Sequence, residues 1–123
     1  MRIVANELLA IACLAIAGAA SAQATLNPAD AAGHVGQQAT ICGLVASAKY
    51  SPRSKGAPTF LNLDKPYPDQ IFTVLIWGSA RTKFTSPPES LQGTNICVTG
   101  QISSFRGAPE IVVNQPSQIS RGH

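Results

Sequence analysis

PTFLNLDKPYPDQIFTVLIWG (Pro58–Gly78) reads as two extended apolar runs on either side of a turn. In TFLNLD, Leu61 and Leu63 alternate with Phe60 and Asn62, the period of two expected of a strand with one buried face. KPYPDQ breaks the run, since proline removes a ladder donor and Asp69, like Asp64 just before this segment, favours a turn. IFTVLIW then returns, with Phe72, Val74 and Ile76 on the core side and Thr73, Leu75 and Trp77 on the other. The pair is a hairpin, and Tyr67, between its two prolines, closes the turn. Trp77, next to Gly78, reads as a partly buried packing residue on a face that an N-terminal helix would cover.

Working outward, ATICGLVASAKY (Ala39–Tyr50) is rich in β-branched residues and forms the strand before the hairpin. Gly43 inside it predicts a bulge or sharp bend. YSPRSKGAP is a loop by composition. Past the hairpin, PPESLQG sets Pro87 and Pro88 ahead of a short helical turn closed by glycine. TNICVTGQISSF is a fourth strand, RGAP a tight connection and EIVVN a fifth strand. Upstream, LNPADAAGHVG offers Asn27 as N-cap, Pro28 as first helical residue and Gly33 or Gly36 as stop, with His34 near the helix end. The strands TICGLVAS and NICVTGQISS echo one another, which suggests neighbours in one sheet. Together these features predict an all-β domain, a five-stranded Greek-key barrel with a short N-terminal helix and a helical insert between strands three and four. A sandwich would need about seven strands.

The chain of 123 residues begins with MRIVANELLAIACLAIAGAASAQA. A basic Arg2, an apolar Leu8–Ala20 run too short to span a bilayer comfortably, and the small-x-small Ala20-Ser21-Ala22 read as a secretory signal, residues 1–22. Lipidation at Cys13 is the weaker reading, because Ala10 fits that motif poorly. The expected organisation is then a helical segment at 23–36, the barrel at 37–119 and a flexible tail at 120–123. Without the signal no membrane segment remains, and the expected location is periplasmic or secreted. Cys42 and Cys97 are then the only cysteines left, and a disulfide is the simplest inference in an oxidising compartment. With no CxxC and only His34 and His123 as histidines, redox and metal sites lack the residues they need. Removing Arg2 and Glu7 subtracts one charge of each sign, so the net charge of +3 is unchanged. That is compatible with a polyanion partner without specifying one.

GLVASAKY, PTFLNLDKPYPDQIFTVLIWG and ICVTGQISSFRGAPEIVVNQPSQI resemble the small bacterial OB-fold domains of the nucleic-acid-binding type, found as short secreted proteins or attached to extracellular nucleases. The resemblance spans Gly33 to Ile119. OB-folds hold oligonucleotides, oligosaccharides and proteins alike, so it implies a binding module for nucleic acid, preferably single-stranded and with little sequence preference, the alternative being an envelope protein or glycan. On such a barrel the ligand crosses strands two and three between two loops. The resemblance therefore points to Lys49, Tyr50, Arg53 and Lys55 from the first loop, Phe60 and Asn62 on the strand face, and Phe105 and Arg106 from the second loop. Cations would track phosphates while rings stack on bases. Lys65, Arg81 and Lys83 read as solvated charges. Asp64, Asp69, Glu89 and Glu110 lie in separate turns and strand ends, without a loop that would gather them around calcium. GxSxG, HExxH and phosphate-loop patterns are absent, so neither catalysis nor a cofactor is expected.

Overall fold

The structure, a computed structural model, describes residues 24–122. The signal segment, its cleavage site, Cys13 and His123 lie outside the described residues. What is described is mostly β-sheet: β1 (Ala24–Leu26), β2 (Gln38–Tyr50), β3 (Thr59–Leu63), β4 (Phe72–Ile76), β5 (Asn95–Phe105), β6 (Ala108–Val112) and β7 (Ile119–Arg121). The all-β expectation stands, but the five-strand description does not. The described residues form seven strands in one mixed sheet, ordered β1-β2-β3-β4-β6-β5-β7 with a further β2–β5 pairing. The additions are three-residue edge strands, too short to show an alternating pattern, and the β1–β2 and β4–β6 pairings are parallel. Strand β7 takes in Ser120 and Arg121, residues read from sequence as part of a tail.

The extra pairing makes the sheet partly ring-like, and two long strands do the closing. β2 pairs with β5 over Gln38–Leu44 and with β3 over Val45–Tyr50. β5 makes the matching switch from β2 to β6 after Gln101. The bulge expected at Gly43 lies instead between Val45 and Ser47, where the β2–β3 register shifts. Gly43 keeps regular pairing with Ile96. It is needed for close approach: a Cβ there would sit 2.8 Å from both Asp64 Oδ1 and Pro28 Cγ. The backbone amide of Leu44 beside it donates to Asp64 Oδ1 at 3.2 Å, so the first hairpin turn is tied to the bend in β2.

Alternation along the strands fills the interior. Ile41, Val45, Leu61, Leu63, Phe72, Val74, Ile96, Ile102 and Ile111 are all buried, each removing apolar surface worth about 1.5–3 kcal/mol. The expected N-terminal helix is a 3-10 segment, Pro28–His34, with Asn27 at its N-cap and no side-chain cap bond. Its Ala31 is fully buried within the core. The insert between β4 and β5 contains a one-turn α-helix, Gly78–Arg81, and a 3-10 turn, Pro88–Leu91. Cys42 and Cys97 face each other in the β2–β5 register and are disulfide-bonded. Cross-linking across a sequence separation of 55 stabilises by about 4 kcal/mol on the chain-entropy account.

Candidate functional site

The register builds a polar row across the outer face of the ring. Ser47 pairs with Asn62, Asn62 with Thr73, Thr73 with Glu110 and Glu110 with Ser103, so one residue from each of β2, β3, β4, β6 and β5 lies in line. These positions alternate with the buried Leu61, Leu63, Phe72, Val74 and Ile111 and so point away from the core. Two residues along on one side, Lys49 pairs with Phe60 and Phe60 with Leu75. On the other side Phe105 pairs with Ala108 at the β5–β6 turn, and the β3–β4 turn contributes Tyr67 and Gln70.

The result is a cleft of about 600 Å³. Its walls include Phe60, Tyr67 and Phe105, its floor includes Thr73 and Glu110, and Lys49 and Arg106 stand towards opposite ends. Tyr67 is 73% and Phe105 59% exposed. Rings so open to water gain by stacking against a flat ligand. No residue of the N-terminal 3-10 segment lines the cleft, so it does not cover this face.

Two local devices hold these rings out. Ser47 Oγ accepts from Asn62 Nδ2 at 3.0 Å and from the backbone amide of Tyr67 at 3.0 Å, while Thr73 Oγ1 donates to Asn62 Oδ1 at 3.3 Å. The floor network thus pins the turn that carries Tyr67. At the other wall, Arg106 (φ 53°) and Gly107 (φ 82°) form the two-residue link between β5 and β6. Positive φ at both positions is the type I′ hairpin geometry that suits asparagine and glycine. Arginine accepts backbone strain there, its Cζ 5.1 Å from the Phe105 ring centroid. Such strain clusters at ligand-contacting sites.

Lys49, Phe60, Asn62, Phe105 and Arg106 are therefore brought together, and three other expected residues are not. Tyr50 is engaged elsewhere, with the Arg81 guanidinium 3.5 Å from its ring centroid. Arg53 and Lys55 are exposed in the β2–β3 loop and do not line the cleft. Asn62 lines it but is only 3% exposed, and its side chain is spent on Ser47 and Thr73. The reading of Arg81 as a solvated charge also gives way. Its Nη1 and Nη2 donate to the two carboxylate oxygens of Glu89 at 2.6 and 2.9 Å, and Nη1 also donates to the buried Thr59. Trp77 is more open than expected, 41% exposed. It lies where a Cβ on Gly56 (φ 79°) would meet its ring at 2.7 Å. Lys83, by contrast, spans to the Asn114 carbonyl at 3.0 Å.

Electrostatics separate the two carboxylates. The bidentate bonds from Arg81 hold the Glu89 carboxyl below the usual range and raise the guanidinium in turn. Burial pushes the Glu110 carboxyl up. The Oε1 of Gln70 is buried without a hydrogen-bond partner. Tyr67, Gln70 and Glu110 were not read from sequence as contact residues. Outward parity beside Ile111 was the available signal for Glu110, whereas for the two turn residues there was none. Among the described residues, no three His, Cys, Asp or Glu side chains group to hold a metal ion, and no helix is long and apolar enough to cross a membrane.

No protein-family model and no curated protein sequence matches the chain. Among solved structures it is similar to a putative aspartyl-tRNA synthetase from Leishmania major Friedlin, with TM-score 0.50 and 12% sequence identity over 84% of this chain and 22% of that one. It is also similar to an aspartyl tRNA synthetase from Entamoeba histolytica, with TM-score 0.40 and 18% identity over 74% of this chain and 20% of that one. The chain thus spans 20–22% of the length of these synthetase chains, and the first likeness shows the fold alone: a β architecture shared with one portion of a much longer protein.

Proposed function

We propose that this chain is a secreted binding module whose partly ring-like sheet is an OB-type barrel, and that its cleft captures single-stranded nucleic acid with little sequence preference and no catalysis. One observation carries the reading. Exposed rings at Tyr67 and Phe105 and a half-buried ring at Phe60 share a cleft with Lys49 and Arg106 towards its two ends. A single strand offers the matching pattern, with bases that stack at ~1–3 kcal/mol each and phosphates that pair with the cations. The fold likeness adds support, because the neighbouring protein's name has it act on a tRNA. The disulfide is compatible with an oxidising compartment.

The test is fluorescence anisotropy of a labelled single-stranded oligonucleotide, a duplex and heparin with the purified protein at two salt concentrations. Single-strand binding is expected to exceed binding to the other two, to weaken steeply with salt as counterions are released, and to fall in Phe60→Ala. Equal weak binding to every polyanion, indifferent to Phe60, would sink the reading and favour an envelope protein or glycan as partner.

A further inference from the structure

The floor of the cleft is chemically one-sided in a way that capture of phosphates and rings does not require. Its walls are aromatic and its ends cationic, yet the charged group in the floor is a carboxylate. Glu110 stands in the row between Thr73 and Ser103. Among the described residues the ion pair is Arg81–Glu89, so Glu110 has no cation bonded to it. A ligand defined only by phosphates would be repelled by that group. A ligand presenting hydrogen-bond donors above it would instead satisfy a partly desolvated acceptor. Elsewhere in the cleft lining, Gln70 Oε1 is buried without a hydrogen-bond donor.

The spacing suits a base. Phe60 and Phe105 are offset by four residue steps along the strands, with the row of Thr73 and Glu110 midway between. At about 3.3 Å per residue that is about 13 Å. The two rings also lie three strands apart, so each would stack its own base, and a base on Phe105, two residues from Ser103 and so diagonal to Glu110 across the β5–β6 pairing, would have its edge towards the floor.

Resting on the nucleic-acid reading above, we propose that Glu110 accepts from the exocyclic amino group of a base in the cleft and so selects cytosine over its oxo counterpart uracil. The 4-amino group of cytosine donates to the carboxylate, a pairing known from groove recognition. The 4-oxo group of uracil would set a carbonyl oxygen against a carboxylate with no proton between them. The module would then add a single-base bias to binding that otherwise shows little sequence preference.

The test compares oligo-dC with oligo-dU of equal length, in wild type and Glu110→Gln, by anisotropy at neutral pH and moderate salt. A thermal melt checks that the variant is folded. Wild type is expected to favour oligo-dC by about five- to tenfold, a modest single-contact discrimination. Glu110→Gln, whose amide can donate to the uracil carbonyl as well as accept from cytosine, is expected to bring the ratio close to one, chiefly by tightening oligo-dU. Equal wild-type affinities that still depend on Phe60 would overturn the proposal and leave the nucleic-acid reading intact. A dC preference that persists in folded Glu110→Gln would overturn the assignment to Glu110. Failure of both oligonucleotides to bind would remove the reading itself and this proposal with it.

Discussion

Two regions on either side of β3 are built from the same three chemical groups and put them to opposite use. At the insert, Tyr50, Arg81 and Glu89 form a closed set: ring against guanidinium, guanidinium against carboxylate, with Thr59 accepting a further bond. At the cleft, Phe105 with Arg106, Tyr67 and Glu110 hold a ring, a guanidinium and a carboxylate that are not consumed by one another. Arg106 lies 5.1 Å from its ring, and among the described residues Glu110 has no cation bonded to it. Residue type alone does not distinguish a lock from a receptor. What distinguishes them is whether the groups satisfy each other, since a bonded cation–carboxylate pair has little left to offer a ligand.

The contrast is broken most forcefully at Arg81. Replacing it with alanine leaves the Glu89 carboxylate without its partner, uncovers Tyr50 and strands the buried Thr59 hydroxyl. A charged hydrogen-bond set of this kind, partly exposed and so partly screened, is expected to cost about 2 kcal/mol of stability. Chemical denaturation would measure it, and oligonucleotide affinity of the folded fraction should be unaffected. If affinity fell with stability, the two regions would not be separate. Phe60→Ala is the mirror experiment. It is expected to lose about tenfold in single-strand affinity, as for one stacked base, with a smaller change in melting temperature than Arg81→Ala.

The two carboxylates sharpen the comparison through pH. Glu89 has a lowered pKa in the fold, so its contribution is present above the ordinary carboxylate range and is lost as pH falls through the folded value. Glu110 has a raised pKa, so its sign is opposite: stability is fuller below its unfolded value and declines as pH rises through the folded one. Lys49, Tyr67 and Arg106 are the other titratable groups lining that cleft. Glu89→Gln should therefore flatten the acid limb of the stability–pH curve, while Glu110→Gln should raise stability at neutral pH. Melting temperatures from pH 3 to 8 would check both, and the same sign for both variants would refute the distinction. The smallest effect is expected at Arg106→Gly. Glycine suits φ of 53° better than arginine does, so stability should hold or rise by up to about 1 kcal/mol. The salt dependence of binding should lose about one phosphate contact, measured as the slope of affinity against salt.

How far the sequence reached can be judged residue by residue. Alternation in TFLNLD and FTVLI placed Leu61, Leu63, Phe72, Val74 and Ile76 inside, because a period of two leaves little choice once one face is apolar. The Pro28 and Pro88 signals marked the 3-10 segments Pro28–His34 and Pro88–Leu91, since proline at a first helical position acts locally. Gly43 misled, because a glycine needed for close approach and one needed for a bulge look alike in sequence. Tyr50 misled for a different reason. It lies at the end of β2, and only folding shows that Arg81, 31 positions later, occupies its ring.

By itself, then, the sequence determined an all-β chain with its hairpin, its core faces, its helical turns and its cysteine pair, because each is written in near-neighbour periodicity or in a count of residues. Tertiary structure alone decided the two edge strands, the parallel β4–β6 pairing, the lock at Arg81 and the line from Ser47 through Glu110 to Ser103. These depend on which strands lie side by side and in what register, and a register shift of one residue would turn Glu110 inward and Ile111 out.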